Sequence, residues 1–190
     1  METLTVRITG TSPLLMHSEL LCNPLAAETK AHKSVAAKRK KSDDDHLWLL
    51  ESEWRNGMYH DDKIGPYIPA INLESAIVAG GKIHRLGTTI KQAVQVLDDQ
   101  VKLEYDGPRK KDAMWKSGEF TDIRGVGVNG KKIMRARPIF KRWSAQFQVA
   151  YMEDVIDRGD LVRAIEETGR RIGIGDYRPR FGRFDVEVAK

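Results

Sequence analysis

The segment from Trp143 to Val188 constrains the fold of this chain more than any other part of the sequence. It opens with WSAQFQVAYM, in which apolar residues alternate and share one face of a strand. DRGDLVRAIEETGRRIG follows, with Leu161, Ile165 and Ile172 at helical spacing. A glycine-rich loop then leads into an alternating strand. This succession of strand, helix, loop and strand is half of a ferredoxin-like unit.

Residues 1–10 and 71–83 can supply the other half of that unit. METLTVRITG alternates as a strand, and NLESAIVAGGKIH predicts a helix that Asn72 caps and a glycine pair ends. Together the two halves predict an α+β fold, namely a ferredoxin-like (RRM-like) antiparallel sheet with helices on one face. A chain of 190 residues, 41% of them hydrophobic, can bury a core of its own, so we expect one domain over residues 1–190 with inserted segments.

Two inserted segments interrupt the predicted unit. Residues 18–46 are polar and predict a mobile loop, in which KAHKSVAAKRKK is expected to become helical on meeting a partner. SDDDHLWLLESEWRN then predicts a helix with N-cap candidates at 42–45 and an end at Asn56-Gly57. Residues 123–140 predict a basic β-hairpin around Asn129-Gly130, because Asn-Gly favours a tight turn.

Composition excludes several classes of protein. The chain has no run near the roughly 18 apolar residues of a membrane helix, and METLTVRITG lacks the basic and apolar regions of a signal peptide. We therefore expect a cytoplasmic protein without a membrane partner. The single cysteine, Cys22, excludes an intrachain disulfide, and no Cys/His pairs occur at zinc-ligand spacing. We predict no metal and no cofactor.

The positive charge of the chain is unevenly distributed. The net charge is +5, and residues 124–151 contain no Asp or Glu. The basic residues of that window are Arg124, Lys131, Lys132, Arg135, Arg137, Lys141 and Arg142. A second basic run at residues 30–41 is soon followed by three aspartates, which can neutralise part of it. The acid-free window therefore favours an anionic partner.

A loop near the C-terminus, RRIGIGDYRPRFGRFDV, places three glycines among five arginines. Glycine lets a backbone approach a ligand closely, and arginine offers a planar fork that suits phosphate, so the loop is typical of an anion site. The alternative is a helix C-cap at Gly173 followed by a bulge, with solvated arginines. Tyr177 and Phe181 within the loop either stack on bases or pack inward.

Three separated stretches resemble motifs of the RAMP superfamily, RNA-binding proteins that include backbone subunits of CRISPR effector complexes. GTSPLLMHS (10–18) resembles the motif that follows the first strand in this family. YIPAINLESAIVAGG (67–81) resembles the family's motif that leads into the first helix. GIGDYRPRFGRFDV (173–186) resembles the glycine-rich loop before the final strand. The chain also resembles proteins encoded by tailed phages. Glu74 stands where the family has lysine, so one customary phosphate contact is not expected.

The resemblance implies a protein that binds single-stranded nucleic acid, RNA in preference to DNA, through backbone phosphates. It also implies a homo-oligomer, a head-to-tail filament or ring, in the cytoplasm of a bacterium or phage-infected cell. The basic hairpin resembles a thumb that extends over RNA toward the next subunit, and an ordinary surface hairpin is the alternative. The residues expected to contact nucleic acid are Lys131, Lys132, Arg135, Arg137, Lys141, Arg142, Arg170, Gly173, Gly175, Arg178, Arg180, Gly182 and Arg183.

Catalytic residues are only weakly indicated. Asp45 and His46 lie where some target-cleaving backbone subunits carry an aspartate, and the acid cluster at 43–45 could hold a divalent metal. The same residues suit the first turn of a helix, which is the interpretation we favour. We therefore assign no enzyme activity. A metal- or His-dependent endoribonuclease is the alternative function, and an accessory protein that presents the basic hairpin to an acidic protein surface is a third.

Overall fold

The computed structural model describes residues 1–128 and 130–189, with only the backbone of Val128 and Lys131, and it divides into two compact units. Unit 1 comprises Met1–Leu15, Asp61–Asp106 and the chain from Phe140 onward. Unit 2 comprises Met16–His60 and Gly107–Ile139. The two segments predicted as insertions, 18–46 and 123–140, thus lie in unit 2, except that Phe140, the last residue of the second segment, belongs to unit 1.

A seven-stranded sheet forms the centre of unit 1. Its strands are β1 (Glu2–Gly10), β3 (His60–Asp61), β4 (Gly65–Pro69), β5 (Val94–Val96), β6 (Gln100–Glu104), β9 (Ser144–Tyr151) and β10 (Phe184–Ala189). They lie in the order β10-β1-β9-β6-β4-β3, with β5 also pairing β9. Neighbours from β10 to β4 are antiparallel. The order β10-β1-β9-β6 is that of a ferredoxin-like unit, which confirms the predicted fold class.

The described part of unit 1 contains the α-helices α3 (Ala70–Gly81), α4 (Gly87–Ala93) and α6 (Arg158–Glu167), and a 3-10 turn (Lys82–His84) follows α3. A π-helical turn at Thr168–Ile172 continues α6, and the short strand β2 (Leu14–Leu15) follows β1. The core takes alternate strand residues and one stripe of each long helix, including Leu4, Val6, Ile8, Phe147, Val149, Leu73, Ile77, Leu161 and Ile165. The alternate residues of β1, such as Thr5 and Arg7, stay partly exposed, so the opposite sheet face is open.

Unit 2 consists of helices and one hairpin. Its elements are a 3-10 turn (Glu19–Cys22), α1 (Ala27–Ala36), α2 (Asp43–Gly57), α5 (Lys111–Ser117), β7 (Thr121–Val128) and β8 (Lys131–Phe140). Trp54 is fully buried at the centre, where its indole N–H donates to the Phe120 carbonyl at 2.8 Å. That bond satisfies the polar atom of a large aromatic side chain, so α2 is fixed against the start of the hairpin.

Several elements match the sequence predictions, and others differ for local reasons. The 42–57 helix is confirmed: Ser42 and Asp45 form a capping box at the start of α2. The 18–46 segment contains α1 without any partner present, and the buried Thr29 hydroxyl of α1 donates to the Leu20 carbonyl at 3.0 Å. The prediction that Asn72 caps α3 is wrong. Pro69, with φ fixed near −61°, precedes a helix that starts at Ala70.

Two short helices are a further difference between the structure and the sequence predictions. The seven-residue helices α4 and α5 were not expected from the sequence pattern. The 123–140 hairpin is present, with Thr121 opposite Pro138 and Val128 opposite Lys131, while Asn129 at its predicted turn lies outside the described residues. No helix in the described ranges combines the length and the apolar character needed to span a membrane.

Candidate nucleic-acid interface

The strand register of unit 1 brings three chain segments to one end of the sheet. Gly10, the last residue of β1, lies opposite Phe184, the first residue of β10. Thr9 lies opposite Ser144, the first residue of β9. The residues just before β9 and β10 therefore meet the turn that follows β1. The cations carried by these segments are Lys141, Arg142, Arg178, Arg180 and Arg183, all exposed, which we call the sheet-end cluster.

Backbone hydrogen bonds hold the three segments together. Four of them, each 2.8 to 2.9 Å long, join Thr11 N–H to the Arg183 carbonyl, Gly182 N–H to the Pro13 carbonyl, Asp176 N–H to the Leu15 carbonyl, and Gly10 N–H to the Trp143 carbonyl. The indole N–H of the buried Trp143 also donates to the Ser12 carbonyl at 2.9 Å. The cations of the cluster thus project from a fixed backbone, which lowers the entropy lost when they bind a ligand.

The glycines of the loop serve this close packing. Gly173, Gly175 and Gly182 have φ of +71°, +77° and +74°, a region that favours glycine. A Cβ at Gly182 would overlap the Ile174 carbonyl oxygen. The N–H of Gly173 donates to the Thr168 carbonyl at 2.7 Å, and that of Gly182 is also used within the protein. The loop therefore offers an anion its cationic side chains rather than these two N–H groups.

The sheet-end cations differ in their partners. Lys141, Arg142, Arg178 and Arg180 form no ion pair with a carboxylate among the described residues. Arg183 donates from Nε to the Pro179 carbonyl at 2.8 Å, which leaves its charge uncompensated. Uncompensated cations on hydrogen-bonded segments create a positive potential that favours an anion.

Arg170 and Arg171 lie in the π-helical turn that continues α6, shortly before the loop of this cluster in the chain. Arg170 is exposed and forms no ion pair within the described ranges. Its neighbour Arg171 pairs with Glu167 at 2.9 Å. Gly169, which precedes them, packs so closely on Phe184 that a Cβ there would overlap the Phe184 carbonyl oxygen. Arg170 is thereby anchored at the start of β10.

The structure separates the two aromatic residues of the loop. Phe181 is buried, with 8% of its surface exposed, whereas Tyr177 is 45% exposed. Their rings meet edge to face with centroids 6.3 Å apart. Phe181 therefore packs inward, as one of the two sequence interpretations expected, and Tyr177 faces solvent.

The hairpin of unit 2 holds its arginines differently. The Arg135 guanidinium lies 2.5 Å from a carboxylate oxygen of Glu53, a residue only 8% exposed. The other oxygen of Glu53 accepts the Ala136 backbone N–H at 3.0 Å. Arg124 forms a bidentate pair with Asp122, at 2.5 and 2.6 Å. These two charges are compensated within the unit.

The other hairpin cations complete this picture. Arg137 is partly buried, and Lys132 is exposed with no carboxylate partner among the described residues. The side chain of Lys131 lies outside the described part of the chain. Of the predicted hairpin contacts whose side chains are described, Lys132 is therefore the one presented openly to solvent.

The weak catalytic candidates occupy the start of α2. One oxygen of Asp45 accepts from Lys38 Nζ at 2.6 Å, and the other accepts from the Ser42 backbone N–H at 3.2 Å. The hydrogen bond from Lys38, followed by that from the Ser42 N–H, lowers the pKa of Asp45. One oxygen thus serves the helix cap and the other is paired with Lys38. Within the described ranges, no group of three or more His, Cys, Asp or Glu side chains is placed to hold a metal.

A groove of about 640 Å³ lies beside these residues in unit 2, between α1, α2 and β8. His46 and the partly buried His32 contribute to its wall. Burial lowers the pKa of His32, outweighing the opposing effect of the nearby Glu53 carboxylate. His32 Nδ1 lies 3.1 Å from the Ser52 hydroxyl. This contact orients the His32 imidazole. The described residues of the groove do not indicate a substrate on which His32 could act.

Comparisons with known proteins give a likeness of fold. No family model matches the sequence, and no curated protein matches it. Among solved structures, a chain in the cryo-EM structure of the Type III-B Cmr-beta bound to cognate target RNA superposes with a TM-score of 0.57 at 15% sequence identity. The match covers 100% of this chain and 61% of that chain, so this chain spans about three-fifths of its length.

Proposed function

We propose that this chain is a RAMP-like protein that binds single-stranded nucleic acid, with RNA favoured over DNA, mainly through backbone phosphates. The observation that carries the proposal is the sheet-end cluster, in which exposed and uncompensated cations project from a rigid backbone. Lysine and arginine neutralise phosphates, and such contacts dominate sequence-independent affinity. The three RAMP-like motifs and the fold likeness to the Cmr-beta chain support RNA as the ligand.

The proposal also assigns the protein an oligomeric arrangement along the strand. In a head-to-tail filament or ring, the hairpin of one copy contacts the next copy. Ile123 and Met134 on the hairpin are 48% and 55% exposed, and exposed apolar side chains of this size favour a protein contact over a nucleic-acid contact. The proposed division of labour gives phosphates to the sheet-end cluster and a neighbouring subunit to the hairpin.

A mobility-shift titration tests the proposal. The purified protein is titrated against labelled single-stranded RNA, single-stranded DNA and duplex DNA at two salt concentrations. We expect salt-sensitive binding to the single strands, with RNA bound more tightly. The double variant Arg178→Glu/Arg180→Glu should weaken this binding at least tenfold. If both arginines contact phosphates, it should also reduce the slope of log affinity against log salt by about 1.4.

The matched control is Arg39→Glu/Lys40→Glu, which changes the net charge equally at two exposed positions of unit 2. It should weaken binding less than threefold. An equal loss in both double variants would show that only the net charge matters. The absence of binding to all three ligands by the folded wild-type protein would refute the proposal.

A further inference from the structure

Tyr177 has a backbone conformation that is unusual for its residue type. Its φ is +60°, in the left-handed region that glycine occupies freely and that side chains with a Cβ rarely adopt. The other positive-φ residues of the loop are Gly173, Gly175 and Gly182. The loop therefore keeps a large aromatic side chain at a position where glycine would be less strained. Retained strain of this kind points to a use for the side chain itself.

The protein holds the backbone of Tyr177 in place while its side chain stays 45% exposed. The backbone N–H of Tyr177 donates to its neighbour Asp176 at 2.9 Å, and its carbonyl accepts the N–H of Phe181 at 3.3 Å. The ring of the buried Phe181 contacts the Tyr177 ring in a T-shaped arrangement, with centroids 6.3 Å apart. A half-exposed ring on a held backbone loses less conformational entropy on stacking against a ligand than one on a free loop.

The surroundings of the ring suit a nucleotide. Tyr177 directly precedes Arg178 and lies three residues before Arg180 in the chain, so the cations that we propose as phosphate contacts lie beside an exposed aromatic residue. Among the described Phe, Trp and Tyr residues, Trp48, at 41%, is the other exposed one. The open face of the sheet presents Thr5 and Arg7 rather than aromatic rings on β1, so base stacking on that strand is not available.

We propose that Tyr177 stacks on an unpaired base of the bound strand and thereby makes the sheet-end site prefer single-stranded over duplex nucleic acid. This inference rests on the proposed function. Cations that contact phosphates bind single strands and duplexes alike, because both expose phosphates. An aromatic ring needs the face of a base, which is available only when the base is unpaired and unstacked. Tyr177 therefore supplies the selectivity that the sheet-end cluster lacks.

The test compares Tyr177→Ala, Tyr177→Phe and the control Trp48→Ala on a single-stranded RNA and on a duplex of the same sequence. Tyr177→Ala should weaken single-strand binding about tenfold and leave duplex binding unchanged. Tyr177→Phe should stay within about twofold of the wild type, since it retains the ring. Trp48→Ala should have no effect. The salt slope of Tyr177→Ala should equal that of the wild type, because no phosphate contact is lost.

The outcomes separate this inference from the proposed function. If the wild type binds but Tyr177→Ala binds single strands equally well, or loses duplex binding to the same extent, stacking by Tyr177 is refuted while the proposed function stands. If the wild type binds neither ligand, both are refuted. A strand carrying 5-iodouridine, photo-crosslinked to the wild type, gives an independent readout, in which a cross-link at Tyr177 is expected and its absence despite binding contradicts stacking.

Discussion

The sheet-end cluster and the basic hairpin contain the same residue types, yet the structure uses them in opposite ways. Arg178 and Arg180 at the sheet end are exposed and have no carboxylate partner among the described residues. Arg135 on the hairpin is bound to Glu53, which lies 82 positions earlier in the chain. An acid-free stretch of sequence is therefore not an acid-free surface. Whether a cation can serve a ligand depends on the carboxylates that folding brings to it.

The glycines of the two regions differ in the same way. A Cβ at Gly182, in the sheet-end loop, would overlap the Ile174 carbonyl oxygen, and the φ of Gly182 is +74°. A Cβ at Gly127, in the hairpin, would meet nothing within 4 Å. The sheet-end loop is thus packed tightly at Gly182 and presents cations, whereas the hairpin has space at Gly127 and its Arg124 and Arg135 are held by carboxylates.

The largest effect that we expect from this comparison is on stability. Gly182→Ala should lower the free energy of unfolding by about 3 kcal/mol, because it adds both a steric overlap and left-handed strain. Gly127→Ala should change it by less than about 0.5 kcal/mol. Urea denaturation of both variants measures the difference. Equal stabilities of the two variants would contradict the tight packing of the sheet-end loop.

Removing the α2 carboxylate that pairs with the hairpin should have an intermediate effect on stability. Glu53→Gln should lower the free energy of unfolding by about 1.5 kcal/mol, since Arg135 loses a charged hydrogen bond. Binding of single-stranded RNA should stay within twofold of the wild type, as measured by mobility shift. A clear increase in RNA affinity would instead show that Arg135, once released, joins the interface, and the two regions would then differ less than we infer.

Within unit 1, Arg7 is a cation that pairs with a carboxylate, as Arg135 does in the hairpin. Glu104 accepts from Ser144 at 2.9 Å and from Arg7 at 2.7 Å, and the hydrogen bond from Ser144, followed by that from Arg7, lowers the pKa of Glu104. A carboxyl whose pKa is lower in the folded state stabilises the fold above its unfolded pKa. That stabilisation is lost as the pH falls through the folded pKa.

We therefore expect Glu104→Gln to be slightly less stable than the wild type at neutral pH and equally stable at strongly acidic pH. The difference at neutral pH should be below about 1 kcal/mol, because the side chains of Arg7 and Glu104 are 40% and 45% exposed and solvent screens the pair. Thermal melts of both proteins across a pH series measure it. A stability difference that persists unchanged at acidic pH would show that the charge of Glu104 is not its cause.

Much of the fold could be predicted because its signals are local. The strand at 144–151 alternates in hydrophobicity, α6 follows a helical stripe, and Ser42 lies at capping distance from Asp45. The short helices α4 and α5 could not be predicted in the same way. With seven residues each, they depend on burial of Ile90 and Met114 rather than on their own propensity.

The candidate site could be predicted only in part, because its features depend on tertiary contacts. Sequence reasoning identified the arginines and glycines of the C-terminal loop. It did not reveal that Gly182 is required for packing, or that Tyr177 and Phe181 face opposite ways. The pairing of Arg135 with Glu53 was also hidden, since no local pattern connects residues so far apart. A left-handed tyrosine has no sequence signal at all.

The pairing of β1 with β10 has a consequence for the order in which the protein can form. β1 is made long before β10, whose residues 184–189 complete one of its edges. At about 5–20 residues per second, the ribosome takes on the order of 10 s or more to reach them. Until then the nascent chain carries an open strand edge, and the residues that follow β1 lack the hydrogen-bond partners that the loop with Arg178 and Arg180 supplies. The sheet-end cluster, which we propose as the phosphate site, is therefore completed late in synthesis.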